Sequence, residues 1–530
     1  MHLFQGPTAG LRAGLVLALS LRGDLMNELE RAMKSLSDAR IRKYERALKL
    51  HSDEQKRHNK RSKMTTGREQ YPRPSSWAVR PDFDPFHVRS RAHVYSHAIQ
   101  KAIASGSYVV RGPVNFEVEK PGGGTRQITS FGIPDEAVSR NTYAGLMNKN
   151  RALLSSRSYA YRNDLNVFDA IDYVSREWRV NSRLYLAEFD LNDYFGSIRH
   201  EYIMKSIKDL RLYMTVREKQ LCERFMRAPR IESPDVSLRT TAVGVPQGTS
   251  LSLLLANVAL TPLDRQLERL QIGFARFSDD LLMWGTNYDA ISRAVDHVHA
   301  WSEASGVQLS IDKSPGIRIM TRSPLPSAEM RVVESTQFLS HTVTMRSVDV
   351  GPKPLADLKS RVRVLIYANL LREVVHSSQD LSRLKDGTDR DYVTLVSQLR
   401  RLLYGALSES QVRRLSRTPY IPRIYYSGKV ANHPILSGSQ AWQEFDQWLA
   451  QQVWLALRKR KLLLQRQGFN EPCVPWDCRP QDLYEVRLFS SIDKSPVDAQ
   501  LPSAARMSKV IRRSTALHGT KIAEKPAEAY

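Results

Sequence analysis

Cysteine is scarce in this chain of 530 residues: Cys222, Cys473 and Cys478 are the only three. So few thiols exclude a disulfide framework and suit a reducing, cytoplasmic setting. "CVPWDC" holds Cys473 and Cys478 as half of a zinc site would. No second Cys/His pair lies at a suitable spacing, so both read as free thiols. Long apolar runs are missing too, since no stretch reaches the roughly 18 residues that a bilayer-spanning helix needs. "LRAGLVLALSLRG" (residues 11–23) imitates a short signal-peptide core. It lacks a small-x-small cleavage site, and Arg22 and Asp24 follow at once. Residues 1–25 therefore read as a mis-assigned start or a minor extension. Acidic residues are in short supply: 55 Asp and Glu stand against 79 Lys and Arg, for a net charge of +24. Such a field draws polyanions, nucleic acid being the commonest; a basic membrane-surface protein is the rival.

What is present describes a globular protein. Apolar residues make up 42% and charged residues 25%, and the length asks for two or three cores rather than one. Residues 26–50 carry the periodicity of a basic amphipathic helix. The polar stretch from His51 to Arg73 reads as a linker or a nucleic-acid-contacting arm. A helix "DPFHVRSRAHVYSHAIQKAIASG" follows, then a hairpin made of "VNFEVEK", the turn "PGGG" and "TRQITSFGI". The middle section runs through a strand over 183–191, a helix from His200, a long apolar helix over 250–270, a hairpin, a helix from Tyr288 to Ser305 and a further strand. That order predicts an antiparallel sheet backed by helices, of split βαβ type. From Leu355 to about Gln467 the pattern is helical and Arg-rich, and Pro480 to Tyr530 reads as loosely packed.

The hairpin "IGFARFSDDLLMWG" (272–285) is the anomaly. Asp279 and Asp280 lie between apolar runs, where ionised carboxylates cost several kcal/mol or more without a partner. A plain Ser-Asp-Asp turn is one reading. The other is a cation site, and "LAEFDLNDYFGSI" offers a further acid, Asp190, at the end of an apolar strand. If that strand lies beside the hairpin, Asp190 and Asp279 meet at one edge of the sheet. Oxygen-seeking Mg²⁺ suits such a set, and a pair of ions about 3.5–4 Å apart is the two-metal device of phosphoryl transfer.

These segments occur in the order of the reverse-transcriptase palm motifs. Asp190 with Phe195, "GVPQGTSLSLLLANVAL" (244–260), "FSDD" (277–280), "LSIDKS" (309–314) and "FLSHTV" (338–343) make up the palm series. Upstream, "KPGGGTRQITSFGIPDEAVSR" (120–140) and "SRSYAYRNDLNVFDAID" (156–172) resemble the fingers blocks of bacterial reverse transcriptases. The resemblance covers about 115–345 and implies a right-hand polymerase, an α/β chain with fingers, an α+β palm and a helical thumb. The corresponding division is 1–75 for an N-terminal extension, 76–182 for fingers, 183–350 for palm, 351–467 for thumb and helical region, and 468–530 for a tail.

By the same resemblance, Asp190 and Asp279 would bridge two Mg²⁺ ions, with Mn²⁺ as a substitute. The Leu191 carbonyl would be a backbone ligand and Asp280 an auxiliary one. Phe195 matches the steric gate against a ribose 2′-hydroxyl, and Gln247 would touch the incoming nucleotide. Lys120 and Arg126 would grip its triphosphate. Lys313 would protonate departing pyrophosphate, a role a lysine can fill. His341 reads as packing or phosphate contact. Arg400, Arg401, Arg413 and Arg414 would track phosphates on the thumb. Trp442, Phe445, Trp448 and Leu449 fall at helical spacing and read as core, with Arg458 to Lys461 as an RNA contact. One departure stands out: Phe277 and Ser278 replace the usual Tyr and Ala before the paired acids.

No nuclease, zinc-finger endonuclease, RNase H or integrase pattern accompanies these motifs. The long helical C-terminal part looks more like the bacterial "unknown group" reverse transcriptases linked to phage defence. That likeness implies dNTP substrates, a structured non-coding RNA as template, a DNA product, and a second copy or a partner protein. Retron-type enzymes, maturase-like RNA binding, and untemplated or protein-primed synthesis remain open alternatives.

Overall fold

The computed structural model describes residues 9–64, 67, 70–119, 125–228, 242–323, 330–438, 440–489 and 496–523. Side chains are described there except for those of 9–27, 117–119, 125–128 and 313.

The N-terminal third is helical around one hairpin. Helix α1 (Ala9–Arg61) and α2 (Pro85–Ala104) precede β1 (Val114–Glu119) and β2 (Thr125–Ser130), which pair antiparallel. Next come α3 (Ile133–Asn150) and α4 (Val167–Arg179). Asp84 caps α2 by accepting from the Phe86 amide, and Asn166 opens α4 in a reciprocal capping box with Asp169.

The central section builds the main sheet. It contains β3 (Arg183–Phe189), β4 (Leu191–Asn192), α5 (Tyr194–Ser197), α6 (His200–Asp209), α7 (Val216–Met226) and α8 (Ser250–Arg269). After these run β5 (Gly273–Phe277), β6 (Asp280–Gly285), α9 (Tyr288–Ser305), β7 (Gln308–Leu309), β8 (Arg318–Thr321) and β9 (Val332–Val333). The five-stranded order is β5-β6-β3-β8-β9, antiparallel except for the last pair. Period-two alternation explains how the sheet is buried. Ala187, Phe189, Leu281 and Met283 join the core shared with α8 and α9. Leu184, Leu186, Leu282 and Trp284 face the other way, into a core shared with α4 and the C-terminal helices.

A small sheet of β10 (Thr336–Phe338), β11 (His341–Val343) and β12 (Val348–Val350) leads to the helical region. There α10 (Pro352–Ile366) passes through a π-helical turn into α11 (Arg372–Val375). Helices α12 (Arg390–Tyr404), α13 (Glu409–Arg417), α14 (Gln440–Arg466) and α15 (Ala504–His518) complete it. The arrangement is a mixed α/β fold with a central sheet backed by helices, matching fingers, palm and thumb.

Two boundaries differ from those expected of the sequence. The stretch expected to be a linker from His51 remains helical to Arg61, because α1 ends in partners rather than solvent. Arg61 is buried, donates to the Asn369 side chain at 3.1 Å and lies 3.5 Å from Glu373, which His58 also meets at 3.0 Å. Since α1 also joins α3 through the Arg40–Glu136 ion pair, it straps the fingers to the thumb. The C-terminal segment is not a loose tail. Leu483, Leu501, Met507, Val510 and Ile511 lie in the same core as α12 and α14. Asp446 of α14 accepts from Ser503 at 2.6 Å and from the Ala504 amide at 2.7 Å.

Candidate active site

The register of the central strands brings the three aspartates to one rim. Phe189, the last residue of β3, pairs with Leu281, so Asp190 leaves the strand at the end of the sheet where β6 begins with Asp280. Phe189 points toward α9, where its ring meets His299 edge-on. Asp190, one residue further, points to the opposite face, away from α8 and α9. Asp279 sits in the two-residue turn between Phe277 and Asp280.

That turn is held from behind. Ser278 is in the left-handed region at φ 62°, which costs a non-glycine residue about 1–3 kcal/mol unless its surroundings enforce it. Its carbonyl accepts from Arg276 at 3.1 Å, and its hydroxyl meets the Tyr161 hydroxyl at 2.8 Å. Arg276 also reaches Ser158 at 2.7 Å and Asn257 at 3.2 Å, and pairs with Asp264 of α8. Burial pushes the Asp264 carboxyl above its ordinary range, and Arg276 pulls it back. Sequence reasoning missed this pair. Its signal was one charge of each sign inside otherwise apolar segments, "FARF" and "ALTPLDRQL".

Asp190 and Asp279 are half-buried and Asp280 is exposed. Glu188, two residues before Asp190 on the same face, is engaged by Arg318 at 2.5 Å and by the Thr336 hydroxyl. Among the described residues no three His, Cys, Asp or Glu side chains gather into a ready-made metal cluster. The donor set of the three aspartates is all oxygen, the chemistry that fits Mg²⁺.

The remaining predicted residues fall around this rim. Leu191 is buried and pairs with Leu309, while the Asp190 carbonyl accepts from the Ser310 amide at 2.8 Å. Lys313 ends the short 3₁₀ turn Ile311–Lys313 that follows. Phe195 is half-buried on α5; its carbonyl accepts from the Val245 amide at 2.7 Å. This bond brings the 244–249 loop beside Phe195, with Gln247 exposed in its turn. Gly248, at φ 117°, comes so close to β2 that a Cβ there would lie 2.3 Å from the Thr129 carbonyl oxygen. Arg126 is on β2 opposite Val118, whereas Lys120 lies outside the described residues.

Several basic residues have other work. Arg400 binds Asp498 at 2.8 Å, and Arg413 binds Glu409 at 2.9 Å and Glu485 at 3.0 Å, so both guanidiniums are engaged by acidic side chains. Arg401 and Arg414 are exposed. Within the 458–461 stretch, Arg460 is fully buried between Asp389 and Asp391, Lys461 pairs with Asp477, and Arg458 stacks on Trp454. Arg460 is a structural lock, while Arg458 and Lys459 are exposed. Trp442, Phe445 and Leu449 are core, and Trp448 packs against it under Lys359 and Arg363. His341 is buried, with Nδ1 2.8 Å from the Leu339 carbonyl oxygen and Nε2 3.3 Å from His433, as packing requires.

Residues 118–343 match the family model described as reverse transcriptase (RNA-dependent DNA polymerase). Residues 118–343 are thus a reverse-transcriptase domain by that match. It is similar to Protein YkfC of Escherichia coli (strain K12), 27% identical over 195 residues, covering 36% of this chain and 50% of that protein. The chain therefore spans about half the length of the curated relative it matches. Among solved structures it is similar to telomerase from Candida albicans in complex with a fragment of telomeric RNA. That likeness has TM-score 0.37 and 11% identity, covering 68% of this chain and 65% of that one. Apo telomerase from Candida tropicalis gives TM-score 0.36 and 12% identity, covering 75% and 72%. No helix among the described residues is long and apolar enough to cross a membrane.

Proposed function

We propose that the protein is an RNA-directed DNA polymerase that extends a primer hydroxyl with deoxynucleotides on an RNA template, releasing pyrophosphate. The reading is supported by the register that pairs Phe189 with Leu281, so that Asp190 follows β3 at the end of the sheet where the Phe277–Asp280 turn carries Asp279. The Asp190 and Asp279 carboxylates and the Leu191 carbonyl would hold two Mg²⁺ ions, or Mn²⁺ in their place, with Asp280 as the auxiliary ligand. When bound, the ions supply acidification of the attacking hydroxyl and neutralisation of the triphosphate charge. Phe195 lies under the sugar and excludes a 2′-hydroxyl. Gln247 and the close backbone at Gly248 seat the nucleotide against β2, whose Arg126 holds phosphate, with Lys120 from the same hairpin. Lys313 protonates the pyrophosphate.

The template is read as a structured non-coding RNA that the basic surface holds through phosphates, and the biological role as bacterial anti-phage defence. The net charge of +24 supports the first, and the likeness to the defence-associated enzymes supports the second. A partner protein or a second copy is part of that reading.

Purified protein given an RNA template, a DNA primer, labelled dNTPs and Mg²⁺ should extend the primer. D279A/D280A should abolish extension while leaving the melting temperature in place. Extension that survives in this variant would end the proposal, and sequencing RNA and DNA that co-purify would identify the template.

A further inference from the structure

Ser278 stands where the related motif usually has a small apolar residue, and its hydroxyl has a specific partner. Tyr161 Oη lies 2.8 Å from Ser278 Oγ, and either group can donate. The Tyr161 ring stands edge-on to Phe195, with centroids 6.3 Å apart and planes at 74°. Its own backbone is fixed by Tyr143 of α3, whose hydroxyl donates to the Tyr161 carbonyl at 2.6 Å. Both members of the bridge occupy left-handed backbone, Tyr161 at φ 58° and Ser278 at φ 62°. Neither is glycine, so surrounding contacts must hold them there.

The bridge thus joins two parts of the site. Ser278 immediately precedes Asp279, the carboxylate assigned to the nucleotide's metal ions. Phe195 carries the ring assigned to the sugar, and its backbone carbonyl accepts from the Val245 amide. A ring can reject a 2′-hydroxyl only if it cannot yield relative to the groups that fix the triphosphate. We propose that Tyr161 is a positioning residue for sugar selection. Its hydroxyl bonds the aspartate turn, its ring braces Phe195, and the spacing between carboxylate and gate is set by that one side chain. This rests on the polymerase reading above and adds a residue that determines its substrate class.

The test is single-nucleotide incorporation with dNTP and rNTP, comparing kcat and KM for wild type, Y161F, S278A, Y161F/S278A and F195V. Y161F keeps the ring and removes only the hydroxyl. One neutral hydrogen bond corresponds to about two- to tenfold in rate or binding. Y161F and S278A should therefore each lower the dNTP preference by that factor, through a lower KM for rNTP, with kcat for dNTP kept. The double variant should be no worse than either single one, because both remove the same bond. An unchanged dNTP preference in Y161F and S278A, while F195V collapses it, would overturn the bridge; so would effects that add in the double variant. A wild-type protein that incorporates no nucleotide, or an F195V variant with unaltered preference, would overturn the polymerase or gate reading itself and this proposal with it.

Discussion

Arg276 and Asp264 form a two-armed ion pair sealed behind the aspartate turn. Nη2–Oδ2 is 2.6 Å and Nε–Oδ1 is 2.8 Å, with 1% and 0% of the two side chains exposed. Desolvating both charges is costly, and the pair is tolerated because Asn257, Ser158 and the Ser278 carbonyl occupy the other guanidinium donors. Replacing Arg276 by Met leaves Asp264 buried without its cation. The expected loss is about 3–5 kcal/mol of stability, read as a lower denaturant midpoint. The double variant R276M/D264L should regain part of it, because no unpaired charge remains.

Gly248 sets how closely the Gln247 turn approaches β2. Its φ of 117° is strained for any other residue, and a Cβ would collide with the Thr129 carbonyl of β2. G248A should push the Gln247 turn away from the fingers hairpin and raise the KM for dNTP by about tenfold, equivalent to roughly 1.4 kcal/mol. The strained φ should also lower the thermal midpoint, by about 1–3 kcal/mol of stability, so the kinetics are read below that midpoint. Steady-state kinetics with KM and kcat resolved would check this.

Paired and exposed arginines of the thumb should behave differently. R401A/R414A should weaken RNA binding and flatten its salt dependence. Every phosphate that is no longer neutralised should take about 0.7–0.9 from the log–log slope. R400A or R413A should instead loosen the C-terminal segment, because Asp498, Glu409 and Glu485 are deprived of their partner. Filter binding across a salt series, beside limited proteolysis, distinguishes the two.

Acid should destabilise the protein partly through His433. Burial, and then the neighbouring His341, push its imidazole down from 6.5 to about 3. The unfolded chain takes up a proton near pH 6.5 that the folded chain refuses until about pH 3, so stability present at neutral pH is lost as pH falls through that window. Asp446, which burial raises to about 6, acts in the opposite sense. The comparison should therefore be wild type against H433N. The variant should lose less stability between pH 6.5 and 4.5, by up to about 2–3 kcal/mol, in denaturant titrations at each pH.

Elements with strong local signals were legible in the sequence. The helix from Tyr288 to Ser305 has the expected bounds, because Asn287 caps it and Gly306 ends it at φ 80°. The β1–β2 hairpin and the buried helix α8 followed from alternation and from a long apolar run. His51 to Arg61 misled because its helix is stabilised by Glu373 and Asn369, more than 300 residues away, and no local pattern carries that. The arginines read as phosphate or RNA contacts have partners that no local pattern carries: Arg400 meets Asp498, Arg413 meets Glu485, and Arg460 lies between Asp389 and Asp391.

Residue order alone determined which acids, aromatics and turn residues exist and which of them are neighbours in a strand or helix. It therefore determined the motif series and the kind of chemistry those residues can support. Only the tertiary structure decided that β3 lies beside β6 in a register opposing Phe189 to Leu281, that Arg276 is locked to Asp264, and that Tyr161 bridges Ser278 and Phe195. Those relations depend on contacts between segments far apart in the chain. Side-chain packing and the burial of paired charges select among the registers and partners that local propensity leaves equal.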